Sequence, residues 1–146
     1  MPEDSRRNTA RIPVIDLGTN RMAFLDRREG KVRFAFPQMT ITDDEIKALA
    51  ADFDDPARAR ANGIRVDGTR YSTLSVDTRS IHARMGQETI LAVATQHWII
   101  VGVYDKELEP ARETQLVEVL AGLISDDTKA ERMIGLLSDL IDKKGR

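Results

Sequence analysis

The chain has 146 residues, 22 basic and 24 acidic side chains, and a net charge of −2, so nothing in its overall charge drives it towards nucleic acid. This length suits one domain, and a 41% hydrophobic content can bury a core. The absence of cysteine excludes disulfides and thiolate chemistry and suits a reducing, cytoplasmic compartment, while no apolar run reaches the roughly 20 residues of a membrane span.

Residues 1–11 are polar and lack the apolar stretch of a secretion signal. They are expected to be a flexible segment ahead of one domain over 12–146. Arg21–Asp26 and Lys31–Phe36 read as two strands around a turn at Arg28, Glu29 and Gly30. Thr42-Asp43-Asp44-Glu45 is a capping box, and Ile46, Leu49, Ala50 and Phe53 then fall on one helical face. Pro56 ends that helix, and an Arg/Ala linker is expected to lead to Gly63.

Four strands follow, over Thr69–Asp77, Ser80–Arg84, Glu88–Ala94 and Trp98–Tyr104. Short turns separate them, which suits an antiparallel meander. Trp98-Ile99-Ile100-Val101-Gly102-Val103-Tyr104 is apolar on both faces. A strand wetted on one side alternates instead, so helices are expected to cover both faces of the sheet at its centre. The expected class is therefore α+β, one αβα domain with a central antiparallel sheet. Pro110 opens a helix with a stripe of Leu116, Val117, Leu120, Leu123 and Ile124. A second helix, about 127–143, carries Met133, Leu136, Leu137, Leu140 and Ile141.

Catalytic signals are missing. His82 and His97 are isolated, with no ligand spacing around them, so no metal or other cofactor is expected. Gly63 and Gly68 have the first spacing of a phosphate loop. Thr69-Arg70 replaces its Lys-Ser/Thr, and a strand follows in place of a helix. Asp52, Asp54 and Asp55 read as a solvated turn before Pro56. The expectation is a binding protein, not an enzyme. Charge is unevenly placed, with Arg58, Arg60, Arg65, Arg70, Arg79 and Arg84 outnumbering Asp67 and Asp77 over residues 58–84. This is either ordinary surface charge or a patch for an acidic protein surface or anionic lipid.

The run Gly63 to Tyr71 gains meaning with its neighbours. Upstream lie Phe36-Pro37-Gln38 and Asp52 to Pro56; downstream lie Ile90–Thr95, Ile100–Asp105, Pro110, and Val117-Glu118 with Leu120. In this order the set resembles the profilins, most closely the plant-type sequences, over about residues 21–125. The resemblance implies a small αβα protein that binds monomeric actin, or an actin-like relative, and regulates its polymerisation. An Arg- and Ala-rich composition hints at a GC-rich, prokaryotic source. The alternative is an adaptor of profilin-like fold, of roadblock or longin type, that binds a small GTPase or dimerises; a monomer favours the profilin reading.

Carried over residue by residue, the family's actin face falls on His82, Arg84, Gln87, Thr89, Pro110, Glu113, Thr114, Val117 and Glu118. Plant-type members carry Arg at position 82 and Lys at 84, and their Gly-Lys-Lys-Gly run reads Ala83-Arg84-Met85-Gly86 here. One positive charge is lost, so phosphoinositide binding is less expected than actin binding. The family's proline-rich ligands dock on stacked aromatics. Here residues 1–23 hold no aromatic, Arg33 stands at the early-strand Trp position, and none follows Tyr104. Proline-rich binding is therefore expected to be absent or very weak. The family's N-terminal helix is missing from the pattern, and the extra C-terminal helix is expected to pack beside the Pro110–Ile124 helix in its place.

Overall fold

The computed structural model describes residues 21–36 and 39–144. The expectations for residues 1–11, for a missing N-terminal helix, and for Pro37 and Gln38 lie outside the described residues. Strands β1 (Arg21–Asp26), β2 (Lys31–Phe36), β3 (Ile64–Val66), β4 (Thr69–Val76), β5 (Ser80–Met85), β6 (Glu88–Ala94) and β7 (Trp98–Tyr104) form one sheet. Their order is β2-β1-β7-β6-β5-β4-β3, and every pairing is antiparallel. The helices are α1 (Asp43–Asp54), α2 (Pro56–Asn62), α3 (Pro110–Leu123) and α4 (Asp127–Lys144).

The interior strand β7 is buried along its whole length, because both faces of the sheet are covered as its unbroken apolar run demands. On one face Leu25, Ile81, Ile90, Ile99 and Val101 meet Ile46, Leu49 and Phe53 of α1 and Ala59 of α2. On the other, Phe24, Leu91, Val93, Trp98 and Ile100 meet Leu116, Leu120 and Leu123 of α3 and Ala130, Ile134 and Leu137 of α4. Each fully buried large apolar side chain contributes about 1.5–3 kcal/mol. The extra helix α4 packs beside α3 and against β2.

Two expectations need correction. The stretch after Pro56 is a helix, not a linker. Pro56 sits in its first turn, Ala and Arg are strong helix formers, and the Gly63 N–H closes it on the Ala59 carbonyl at 2.8 Å. Gly63 (φ 73°) ends it, and a side chain there would press to 2.4 Å from the Tyr71 carbonyl oxygen. The second correction is β3, which pairs with β4 through a two-residue turn. Asp67 (φ 56°) and Gly68 (φ 75°) are both left-handed, as a hairpin of this hand requires.

The capping box is formed. The Glu45 N–H donates to the Thr42 hydroxyl at 3.1 Å, and the Thr42 N–H donates to the Glu45 carboxylate at 3.2 Å. The same carboxylate accepts the Asp67 and Gly68 N–H groups, at 3.0 and 2.9 Å. One side chain thus starts α1 and clamps the β3–β4 turn.

Candidate functional site

Helices α3 and α4 cover only part of their face of the sheet. Helix α3 lies on β6, and α4 lies towards β2. Strands β5 and β4 continue past α3, and there the sheet opens to solvent. His82 of β5 pairs with Leu91 of β6, and Arg84 pairs with Thr89, so these side chains share the α3 face.

The nine predicted residues gather at this border, at two depths. His82 is 9% exposed, and its Nδ1 lies 3.1 Å from the Glu113 carboxylate, tying β5 to α3. Thr89 is fully buried, and its hydroxyl donates to the Lys106 carbonyl at 2.8 Å. It fixes the loop that delivers Pro110 to the first turn of α3 and offers no surface of its own. Arg84 is half-buried, 3.3 Å from the Glu107 carboxylate. Gln87, Pro110, Thr114 and Glu118 are exposed, and Val117 is half-buried. The spacing of Pro110, Glu113, Thr114, Val117 and Glu118 puts them on one stripe of α3.

One surface residue escaped the sequence reading. The β4–β5 register shifts between Thr73 and Ser75, leaving Leu74 unpaired next to the partner of His82. Leu74 is 54% exposed. The available signal was a lone leucine in the polar run Ser72-Thr73-Leu74-Ser75.

Phe24, Phe34 and Trp98 sit away from this border and lie deep, whereas Phe36 of β2 is 38% exposed. Phe24 and Phe34 meet edge to face at 6.1 Å within the α4-covered core. Trp98 is fully buried; Arg28 and Arg33 stack on its ring at 5.7 and 5.4 Å. Its indole N–H donates to Asp127 at 2.9 Å. Asp127 also faces His97 Nδ1 at 3.0 Å and Arg28 at 3.6 Å. Hydrogen bonds from His97 and Trp98 hold its carboxyl below the usual range. Arg33 donates twice to Glu131, at 2.9 and 2.6 Å. These contacts fasten the first turns of α4 over the position where the sequence expected an aromatic groove to be lacking.

The acidic residues near α2 have separate employments. Asp54 pairs with Arg27 at 2.9 Å, and Asp52 turns inward to Arg58 at 3.5 Å. Among the described residues no three His, Asp or Glu side chains converge as metal ligands.

A seven-stranded antiparallel sheet between two pairs of helices, open at one border, defines a small αβα module. Residues 17–128 match the Profilin family model, and the chain belongs to the profilin family. It is 38% identical over 74 residues to Profilin-2 of Acanthamoeba castellanii, a match covering 51% of this chain and 59% of that protein. It is 31% identical over 110 residues to Profilin-1 of Dictyostelium discoideum, covering 75% and 87%. The solved profilin of Schizosaccharomyces pombe superposes with a TM-score of 0.67 at 31% identity, covering 74% of this chain and 86% of that one. The roadblock- or longin-type alternative gives way to this match.

Proposed function

We infer that this protein binds an actin monomer, or an actin-like one, and regulates filament polymerisation. It acts by binding and performs no covalent chemistry. The observation that carries the reading is family membership together with the open border where β5, β6 and the start of α3 meet. The contact surface is Arg84, Gln87, Pro110, Glu113, Thr114, Val117 and Glu118. His82 and Thr89 hold it from beneath.

Such a protein works as a monomer in the cytoplasm, beside the actin cytoskeleton. No described helix is long and apolar enough to cross a membrane. Proline-rich ligands and phosphoinositides are not part of the proposed repertoire. The depth of Trp98, Phe24 and Phe34 supports the first exclusion, and the lost cation near Arg84 supports the second.

The test is a pyrene–actin polymerisation assay with wild type and Arg84→Glu. The wild type should sequester monomer and slow spontaneous assembly, and the variant should lose most of that effect. A variant as active as wild type would remove Arg84 from the surface. No effect of wild type on any actin or actin relative would sink the function. Light scattering after size exclusion checks the monomer.

A further inference from the structure

A second cluster lies on the opposite side of the sheet, away from the proposed actin surface. A cleft of about 210 Å³ opens between α1, α2 and β3. Asp52, Arg58, Arg65 and Arg70 line it, over a floor that includes Leu49 and Ile64. Arg65 and Arg70 stand directly opposite each other across β3 and β4. Like charges so placed destabilise a strand pair.

Neither guanidinium meets a carboxylate among the described residues. Arg65 reaches the Gly68 carbonyl at 3.4 Å, and Arg70 donates to the Asn62 carbonyl at 3.0 Å. A charge on an edge strand guards against edge-to-edge pairing. That accounts for one arginine on β3, but not for a second placed opposite it on a cleft that Asp52 also lines. Asp52 is 6% exposed. It receives no hydrogen bond among the described residues, only the Arg58 guanidinium at 3.5 Å. Asp52 lines the cleft, so its carboxylate can accept a further donor there.

The arginine pair and the Asp52 carboxylate are both engaged by a ligand that carries negative oxygens and one O–H. We propose that this cleft binds inorganic hydrogen phosphate, its oxygens accepting from Arg58, Arg65 and Arg70 and its one O–H donating to Asp52. Guanidinium forks match phosphate oxygens in geometry and charge. The carboxylate then acts as a proton counter. Hydrogen phosphate carries the proton it needs, whereas sulfate at neutral pH carries none. Burial pushes the Asp52 carboxyl up, against the Arg58 charge.

The experiment follows the arginine Nε–H signals of full-length protein by NMR at neutral pH and constant ionic strength. Phosphate should give saturable shifts at Arg65 and Arg70, and sulfate at least about tenfold weaker ones. Arg65→Gln combined with Arg70→Gln should weaken phosphate by about tenfold or more. Asp52→Asn should bring phosphate and sulfate close to parity, since an amide can donate to either. If that core variant fails to fold, the surface double variant still decides. Non-saturating shifts, equal sulfate binding by wild type, or an unaffected double variant would each overturn the site. A parallel arm sediments the protein with phosphatidylcholine vesicles, with and without phosphatidylinositol bisphosphate. Binding to the latter, lost in the double variant and without response to free phosphate, would assign the cleft to a lipid headgroup and overturn a soluble ligand.

Discussion

The Glu45 carboxylate accepts the Gly68 N–H at 2.9 Å, across 23 residues of sequence. It accepts the Asp67 N–H as well, so a capping residue of α1 holds a turn whose two residues are both left-handed. Glu45→Ala leaves these donors without a charged acceptor. Hydrogen bonds to charged groups contribute about 1.5–3 kcal/mol each. The variant should lose about 3 kcal/mol, seen as a lower urea midpoint at unchanged slope. A loss below about 1 kcal/mol would mean that water replaces the carboxylate at the turn.

That clamp also marks where sequence reasoning stopped. Thr42 and Glu45 declared the capping box by spacing alone, and β7 announced its two-sided burial by failing to alternate. Local patterns of this kind survive because one element decides them. Strand β3 was missed because Ile64-Arg65-Val66 is too short to show a period, although Asp67-Gly68 is a strong hairpin pair. Helix α2 was missed because its arginines read as a charged linker. At the candidate surface, the family resemblance supplied the α3 residues, and helical spacing sets them on one stripe. Depth was not legible: the burial of His82 and Thr89 depends on α3 lying over β6, which is a tertiary fact.

Depth divides the surface experimentally. Thr89→Val removes a buried hydroxyl and orphans the Lys106 carbonyl, which should cost about 1–2 kcal/mol of stability. Actin affinity per folded molecule should change little. Val117→Asp and Leu74→Asp should do the reverse, with melting temperature nearly kept and affinity reduced by about tenfold or more. Parallel thermal melts and monomer-binding titrations check this. Thr89→Val abolishing affinity at full stability would move that position to the surface.

A ten-proline peptide offers a check on the aromatic side chains. Proline-rich helices dock on exposed rings, but Trp98 is covered by Arg28, Arg33 and α4. Its fluorescence should stay constant through millimolar peptide. A saturable change at micromolar peptide would show that α4 yields the face to ligand, and would end the exclusion of proline-rich partners.

Helix α4 should also respond to acid, through Asp127. Its carboxylate joins the Trp98 indole, His97 and Arg28. Hydrogen bonds from His97 and Trp98 lower its folded-state pKa beneath the ordinary 3.8. A group with a depressed folded pKa stabilises fully above its unfolded value, and that contribution fades as the pH falls through the lowered one. The anchor is thus complete at neutral pH and fails only below about pH 4. Asp127→Asn should be less stable than wild type at neutral pH, with the gap closing in strong acid. Trp98 near-ultraviolet dichroism against pH measures this. Ile134→Ala tests the apolar half of the same attachment, and should cost about 2–4 kcal/mol if α4 belongs to the core. Deleting 127–146 would bare Leu116, Leu120 and Trp98 together, and a patch of that kind promotes aggregation. A truncated protein that stayed soluble with an unchanged melting temperature would mean that α4 is an accessory, and that the face beneath it is stable without cover.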